Sequence, residues 1–100
     1  MSKQRVNILI ADDEVFIREG LKEALETVAD RVETVADGQQ AREKLRTERY
    51  HLAILDLRMP GPSGLDLLEE LRGRESDTQV VILTAHGNVS TAVEIGRAHV

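Results

Sequence analysis

The chain has 100 residues, a net charge of −5, 41% hydrophobic and 31% charged residues, which suits one soluble globular domain and leaves little room for a second. It has no Cys, so disulfides, thiolate metal sites and cysteine nucleophiles are all excluded, in agreement with a reducing compartment. No apolar stretch approaches the roughly 20 residues of a membrane helix. Met1-Ser2-Lys3-Gln4-Arg5 leads at once into a strand-like run with no secretory h-region, so cytoplasmic residence is the default expectation. The acidic balance argues against a nucleic-acid role. Arg42, Arg46 and Arg49 recur at helical spacing but are interrupted by Glu43 and Glu48 with no aromatic between them, and they read as a solvated helix face.

Along the chain, short apolar runs alternate with amphipathic segments, the mark of an α/β fold built on a parallel sheet. Val6 to Ala11 is the first strand. A helix follows from about Glu14 to Val28, with Ile17, Leu21, Ala24, Leu25 and Val28 as its apolar stripe and Arg18, Lys22 and Glu26 opposite. Arg31 to Ala36 is a less buried strand suited to a sheet edge, and Asp37-Gly38 turns the chain. A second helix, about Gln39 to Arg46, directs Ala41 and Leu45 inward. Leu52 to Asp56 is the third strand. Arg58 to Gly64 is too rich in Pro and Gly for a helix, and Ser63 then caps a third helix carrying Leu67, Leu68 and Leu71 and ending near Gly73. Gln79 to Thr84 is the fourth strand, and a fourth helix starts at Val89. The near-continuous apolar strands require cover on both sheet faces.

Three of these strands end in side-chain oxygen: the first in Asp12-Asp13, the third in Asp56, the fourth in Thr84. Taken singly, each has a plain structural role, as a helix cap, a turn starter or a strand-end hydroxyl. Taken together, on neighbouring parallel strands they converge in the crevice at the carboxyl ends, where open α/β sheets place ligands. Carboxylates held close raise one another's pKa unless a cation intervenes. Mg²⁺ suits hard oxygen donors and phosphate, and one aspartate can then act as a nucleophile toward a phosphoryl donor. No Gly-rich phosphate loop follows a strand, which argues against nucleotide binding. An aspartyl-phosphate phosphatase expects a second acid two residues after the nucleophile, where this chain has Arg58.

These residues resemble the receiver domain of two-component response regulators over about residues 5 to 94. Asp12 and Asp13 match the acidic pair, Asp56 in Leu55-Asp56-Leu57-Arg58-Met59-Pro60-Gly61 the phosphoacceptor, and Thr84 in Leu83-Thr84-Ala85-His86-Gly87 the switch hydroxyl. The resemblance implies a flavodoxin-like doubly wound sheet of strand order 2-1-3-4. It also implies phosphoryl transfer from a sensor histidine kinase to Asp56 in a phosphorelay, rather than enzymatic turnover. Mg²⁺ would be held by Asp13, Asp56 and the backbone carbonyl of Arg58, with Asp12 acting through water. Arg58 and His86 fall at positions that tune the lifetime of the acyl phosphate. Leu83 to Val93 looks most like the nitrogen-regulation class. Homodimerisation of a full-length protein stays open, and the domain itself is expected to bind neither nucleic acid nor membrane.

The chain departs from the family's pattern after Thr84. The family has a fifth strand with a lysine at its end and then a fifth helix, whereas the only lysines here are Lys3, Lys22 and Lys44. Glu94 to Val100 matches what a widely used DNA-sequencing adapter encodes in one reading frame. Residues 1–94 are therefore expected to form an incomplete receiver domain and 95–100 a non-native tail, with impaired phosphorylation. The fourth strand would present a bare edge, and one sheet face would lose cover. The alternative is a receiver-like interaction module that acts without phosphorylation.

Overall fold

The computed structural model describes residues 6–85 and 91–97, the second segment as backbone. It contains β1 (Asn7–Ala11), α1 (Val15–Leu25), β2 (Arg31–Val35), α2 (Gly38–Thr47), β3 (Leu52–Asp56), α3 (Gly64–Gly73), β4 (Gln79–Ala85) and β5 (Thr91–Arg97). The four strands predicted from sequence are parallel and lie in the order β2-β1-β3-β4. No described helix is long and apolar enough to cross a membrane.

Strand alternation divides the core in two. Leu9, Ala11, Ala53, Leu55, Val80 and Ile82 face α2 and α3, whose Ala41, Leu45, Leu67, Leu68 and Leu71 complete one buried cluster. Ile8, Ile10 and Ile54 face the other way, toward the half-buried Leu21 and Leu25 of α1. Val81 and Leu83 of β4 are also only half-buried on that face. α1 itself buries no residue, and of its predicted apolar stripe Ile17, Ala24 and Val28 are exposed. One helix is too narrow to cover the sheet face that two helices cover on the other side.

The helices obtain their ends from short side chains. Asp37, predicted to turn the chain, caps α2 by accepting from the Gln40 N–H at 2.8 Å. Ser63 and Asp66 form a reciprocal capping box at α3, satisfying two otherwise unpaired N–H groups. Between these elements, Arg42 departs from the solvated face predicted for it. Its Nε reaches both Glu70 carboxylate oxygens at 3.1 Å, tying α2 to α3. At the far side of α2, the buried Tyr50 donates its hydroxyl to Glu33, and Arg31 and Lys44 bridge Glu33 to Glu48.

The C-terminal segment differs from its prediction. Instead of a helix from Val89, Thr91–Arg97 forms a strand antiparallel to β4, in register from Ala85↔Thr91 to Gln79↔Arg97. Val89 lies outside the described residues. The predicted bare edge of β4 is thus occupied, though by an antiparallel strand rather than the parallel one of the receiver pattern. The physical reason is twofold: Thr91, Val93 and Ile95 place β-branched residues at alternate positions, and an edge of unpaired N–H and C=O groups templates pairing.

Candidate functional site: three carboxylates at the sheet's carboxyl end

The registers Ala11↔Leu55 and Asp56↔Leu83 bring the carboxyl ends of β1, β3 and β4 level. Asp12 follows directly after β1, Asp56 is the last residue of β3, and the Leu57 N–H extends the ladder by donating to the Leu83 carbonyl at 2.8 Å. One oxygen each from Asp12, Asp13 and Asp56 lies within 4.8 Å of the others. The site sits where β1 passes between β2 and β3 and the crossover helices leave on opposite faces, the switch point of a doubly wound sheet.

Asp12 is buried and held on both sides. Its N–H donates to the Val35 carbonyl at 3.2 Å, its Oδ1 accepts from the Glu14 N–H at 2.8 Å, and its carbonyl accepts from Arg18 Nη1 at 2.8 Å. Asp13 is exposed. Asp56 is half-buried and accepts a 3.3 Å bond from the Arg58 N–H. Burial, joined by the negative charge of Asp12, pushes the Asp56 carboxyl up to about 6. Burial also raises Asp12, against the opposing bond from Glu14. Burial leads in both shifts, and the repulsion between neighbouring carboxylates expected from the sequence adds to it.

Two glycines allow the surrounding loop to close on this site. A Cβ on Gly64, the first residue of α3, would sit 2.7 Å from the Asp56 carbonyl oxygen. One on Gly38 would sit 1.9 Å from the Pro62 carbonyl oxygen, where the Gly38 N–H already donates to Pro60 at 2.8 Å. The loop after Asp56 is therefore clamped between the starts of α2 and α3.

Of the residues singled out from sequence, Asp12, Asp13 and Asp56 are brought together. Thr84 is half-buried on β4, one position past the residue paired with Asp56. Arg58 is exposed and touches the site through its main-chain N–H. His86 lies outside the described residues. Arg18 is the residue that sequence reasoning missed: predicted on the polar side of α1, it turns back onto Asp12. Its partner is a main-chain carbonyl, which no residue type in the sequence marks. Two surface concavities of about 480 and 380 Å³ lie elsewhere, one along α2 and β2 and one below the C-terminal ends of α2 and α3, and the carboxylates line neither.

Three acidic side chains gathered at the carboxyl end of a flavodoxin-like sheet form a group with the donor atoms and spacing to hold a metal ion. The sequence matches the response regulator receiver domain family over residues 8–100, and the chain belongs to that family. It is 37% identical over 87 residues to the acid tolerance regulatory protein ActR of Rhizobium meliloti (strain 1021), covering 87% of this chain and 45% of that protein. It is 39% identical over 90 residues to response regulator RR06 of Streptococcus pneumoniae, covering 90% of this chain and 41% of that protein. The chain thus spans less than half the length of these relatives. Among solved structures, Thermotoga maritima TrrA in complex with Mg²⁺-BeF aligns with a TM-score of 0.74 and 40% identity, covering 82% of this chain and 71% of that one. The chemotaxis response regulator CheY4 of Vibrio cholerae aligns with a TM-score of 0.75 and 28% identity, covering 85% and 72%.

Proposed function

We propose that this receiver domain accepts a phosphoryl group on Asp56 from the phosphohistidine of a sensor histidine kinase. In that transfer, the bond between phosphorus and the partner's imidazole nitrogen breaks as a bond to an Asp56 carboxylate oxygen forms. The observation that carries the reading is the meeting of three carboxylate oxygens within 4.8 Å at the end of β1 and β3. The hard, anionic donor set fits Mg²⁺, which supplies charge neutralisation when bound. Asp13, Asp56 and the Arg58 carbonyl would hold it, with Asp12 acting through water. Thr84 would turn its hydroxyl to the phosphoryl oxygens, and Arg58 would sit beside the acyl phosphate. The solved TrrA complex, with Mg²⁺ and a beryllofluoride, supports this assignment by analogy.

A phosphorylated Asp56 makes the domain a signalling element rather than a turnover enzyme. Cytoplasmic residence and the absence of direct nucleic-acid contact by this domain belong to the same reading. So does the division into a receiver portion, 1–94, and a non-native tail, 95–100, which the source DNA downstream of Glu94 tests. A module acting without phosphorylation has less behind it, because it gives no reason for a half-buried Asp56 crowded by Asp12.

Incubation with Mg²⁺ and phosphoramidate tests the function. Intact-mass spectrometry should show gain of one phosphoryl group on a minor fraction of the chain, as its departure from the family's pattern after Thr84 implies, and none in Asp56→Asn or on chelation. Labelling that survives Asp56→Asn would sink the assignment.

A further inference from the structure

We propose that Arg18 is the positioning residue of the carboxylate site, strapping the β1–α1 turn so that Asp12 and Asp13 face Asp56. The inference rests on the metal-assisted reading above. Asp12 is fixed by three hydrogen bonds, of which two employ main-chain N–H groups: its own to Val35 and that of Glu14 to its carboxylate. The third comes from a side chain, Arg18 Nη1 on the Asp12 carbonyl at 2.8 Å, and is charge-assisted. That side chain is only 18% exposed, half-buried like Leu21 and Leu25 on a helix with no fully buried residue.

A guanidinium at this place has two effects of opposite sign on a bound cation. Its charge repels the cation, and its hydrogen bond holds the acidic pair in place. The contact itself indicates which effect prevails. Arg18 meets the Asp12 carbonyl, and its ion pair is a long one of 4.0 Å to the exposed Glu19. The guanidinium therefore acts first on main-chain geometry, and only weakly through its charge on the Asp12 carboxylate. Its removal frees the carbonyl and loosens the turn from which two of the three carboxylates project.

The test measures Mn²⁺ affinity by electron paramagnetic resonance on the full chain, with thermal unfolding of the metal-free protein followed in parallel. Arg18→Met should weaken Mn²⁺ binding about tenfold, the scale of losing a group that orients metal ligands. Arg18→Gln keeps an N–H donor without the charge and should bind more tightly than the Met variant, as should Arg18→Lys. A residue serving stability alone would lower the unfolding temperature and leave the affinity of the folded protein unchanged. Unchanged or tighter binding in Arg18→Met overturns the strap. If the Met variant does not fold, Gln and Lys variants, which keep a donor, should bind Mn²⁺ close to wild type, and a tenfold loss in both overturns the strap. A different result, wild-type chain that binds no Mn²⁺ or Asp13→Ala that binds like wild type, overturns the metal-assisted reading and the strap with it.

Discussion

The two faces of the sheet are built from equally apolar strands and end up differently buried. Toward α2 and α3, Leu9, Leu55, Ala53 and Val80 are all 0% exposed. Toward α1, Ile8, Ile10 and Ile54 are buried but their flanking neighbours Val81, Leu83 and Leu52 are only half-buried, and α1 leaves Val15, Phe16 and Ile17 in solvent, Phe16 at 87%. The sequence of α1 is the more hydrophobic: α2 offers only Ala41 and Leu45, yet both are buried. An apolar stripe is thus a capacity for burial, realised where a facing surface meets it. The pattern of a helix does not say how much of the opposing sheet it can cover.

The comparison breaks if side chains on the two faces weigh the same. Leu55→Ala should cost about 3–5 kcal/mol and Leu21→Ala about 1 kcal/mol, because a half-buried side chain loses less apolar contact and leaves no closed cavity. Urea unfolding monitored by circular dichroism measures both. Equal losses would mean that α1 is packed more tightly than its exposure indicates. With whole-domain stability only about 5–15 kcal/mol, the Leu55 variant stands to lose a large share of it. The next largest effect sharpens the contrast from the backbone side. Gly38→Ala places a Cβ 1.9 Å from the Pro62 carbonyl oxygen and should cost about 2–3 kcal/mol as the loop beside Asp56 is forced to shift. Denaturant midpoints of the variant and wild type decide it.

The closed face was the legible one. Ala41, Leu45, Leu67, Leu68 and Leu71 are inward as their spacing predicts, and Ser63 caps α3 as its place before the leucines predicts. The acidic site was legible too, because Asp12, Asp13 and Asp56 are fixed by strand ends, and parallel register brings strand ends together. What is not legible depends on partners that sequence pattern does not mark: Glu70, the partner of Arg42, is 28 residues away, and the partner of Arg18 is a main-chain carbonyl, which no residue type announces. Strand–helix alternation predicts a fourth helix from Val89, whereas Thr91–Arg97 pairs with β4 as a strand, because its alternate β-branched residues meet an open edge.

Acidity separates the crevice from both faces. Since Asp56 is raised from 3.8 to about 6 in the folded chain, the folded state holds this proton more tightly than the unfolded state does. Its contribution to stability is therefore fully present below about pH 4 and is lost as pH rises through about 6. Metal-free protein should show a lower unfolding temperature at pH 7.5 than Asp56→Asn, the gap closing as pH falls below about 4. A cation must compete with that proton, so Mg²⁺ affinity should fall as pH drops below about 6, readable by calorimetry. A flat pH profile would mean that Asp56 is no more buried than an ordinary surface carboxylate.

A smaller effect lies at the start of α3. Ser63→Ala removes the acceptor for the Asp66 N–H and disables the capping box, which should cost about 1 kcal/mol in the same unfolding assay.

The smallest effect has the opposite sign and returns to the open face. Gly20 lies inside α1, and a Cβ added there meets nothing within 4 Å. Glycine in a helix interior carries extra unfolded-chain entropy, so Gly20→Ala should stabilise by about 0.5–1 kcal/mol without touching any contact. On the closed face the same Gly-to-Ala change, at Gly38, is destabilising, because there the vacant Cβ position is occupied by backbone. The pair of substitutions is therefore a direct measure of how differently the helices are seated. Thermal unfolding of Gly20→Ala at or below the wild-type temperature would mean that α1 is held by something other than its own helical preference and its light contact with the sheet through Leu21 and Leu25.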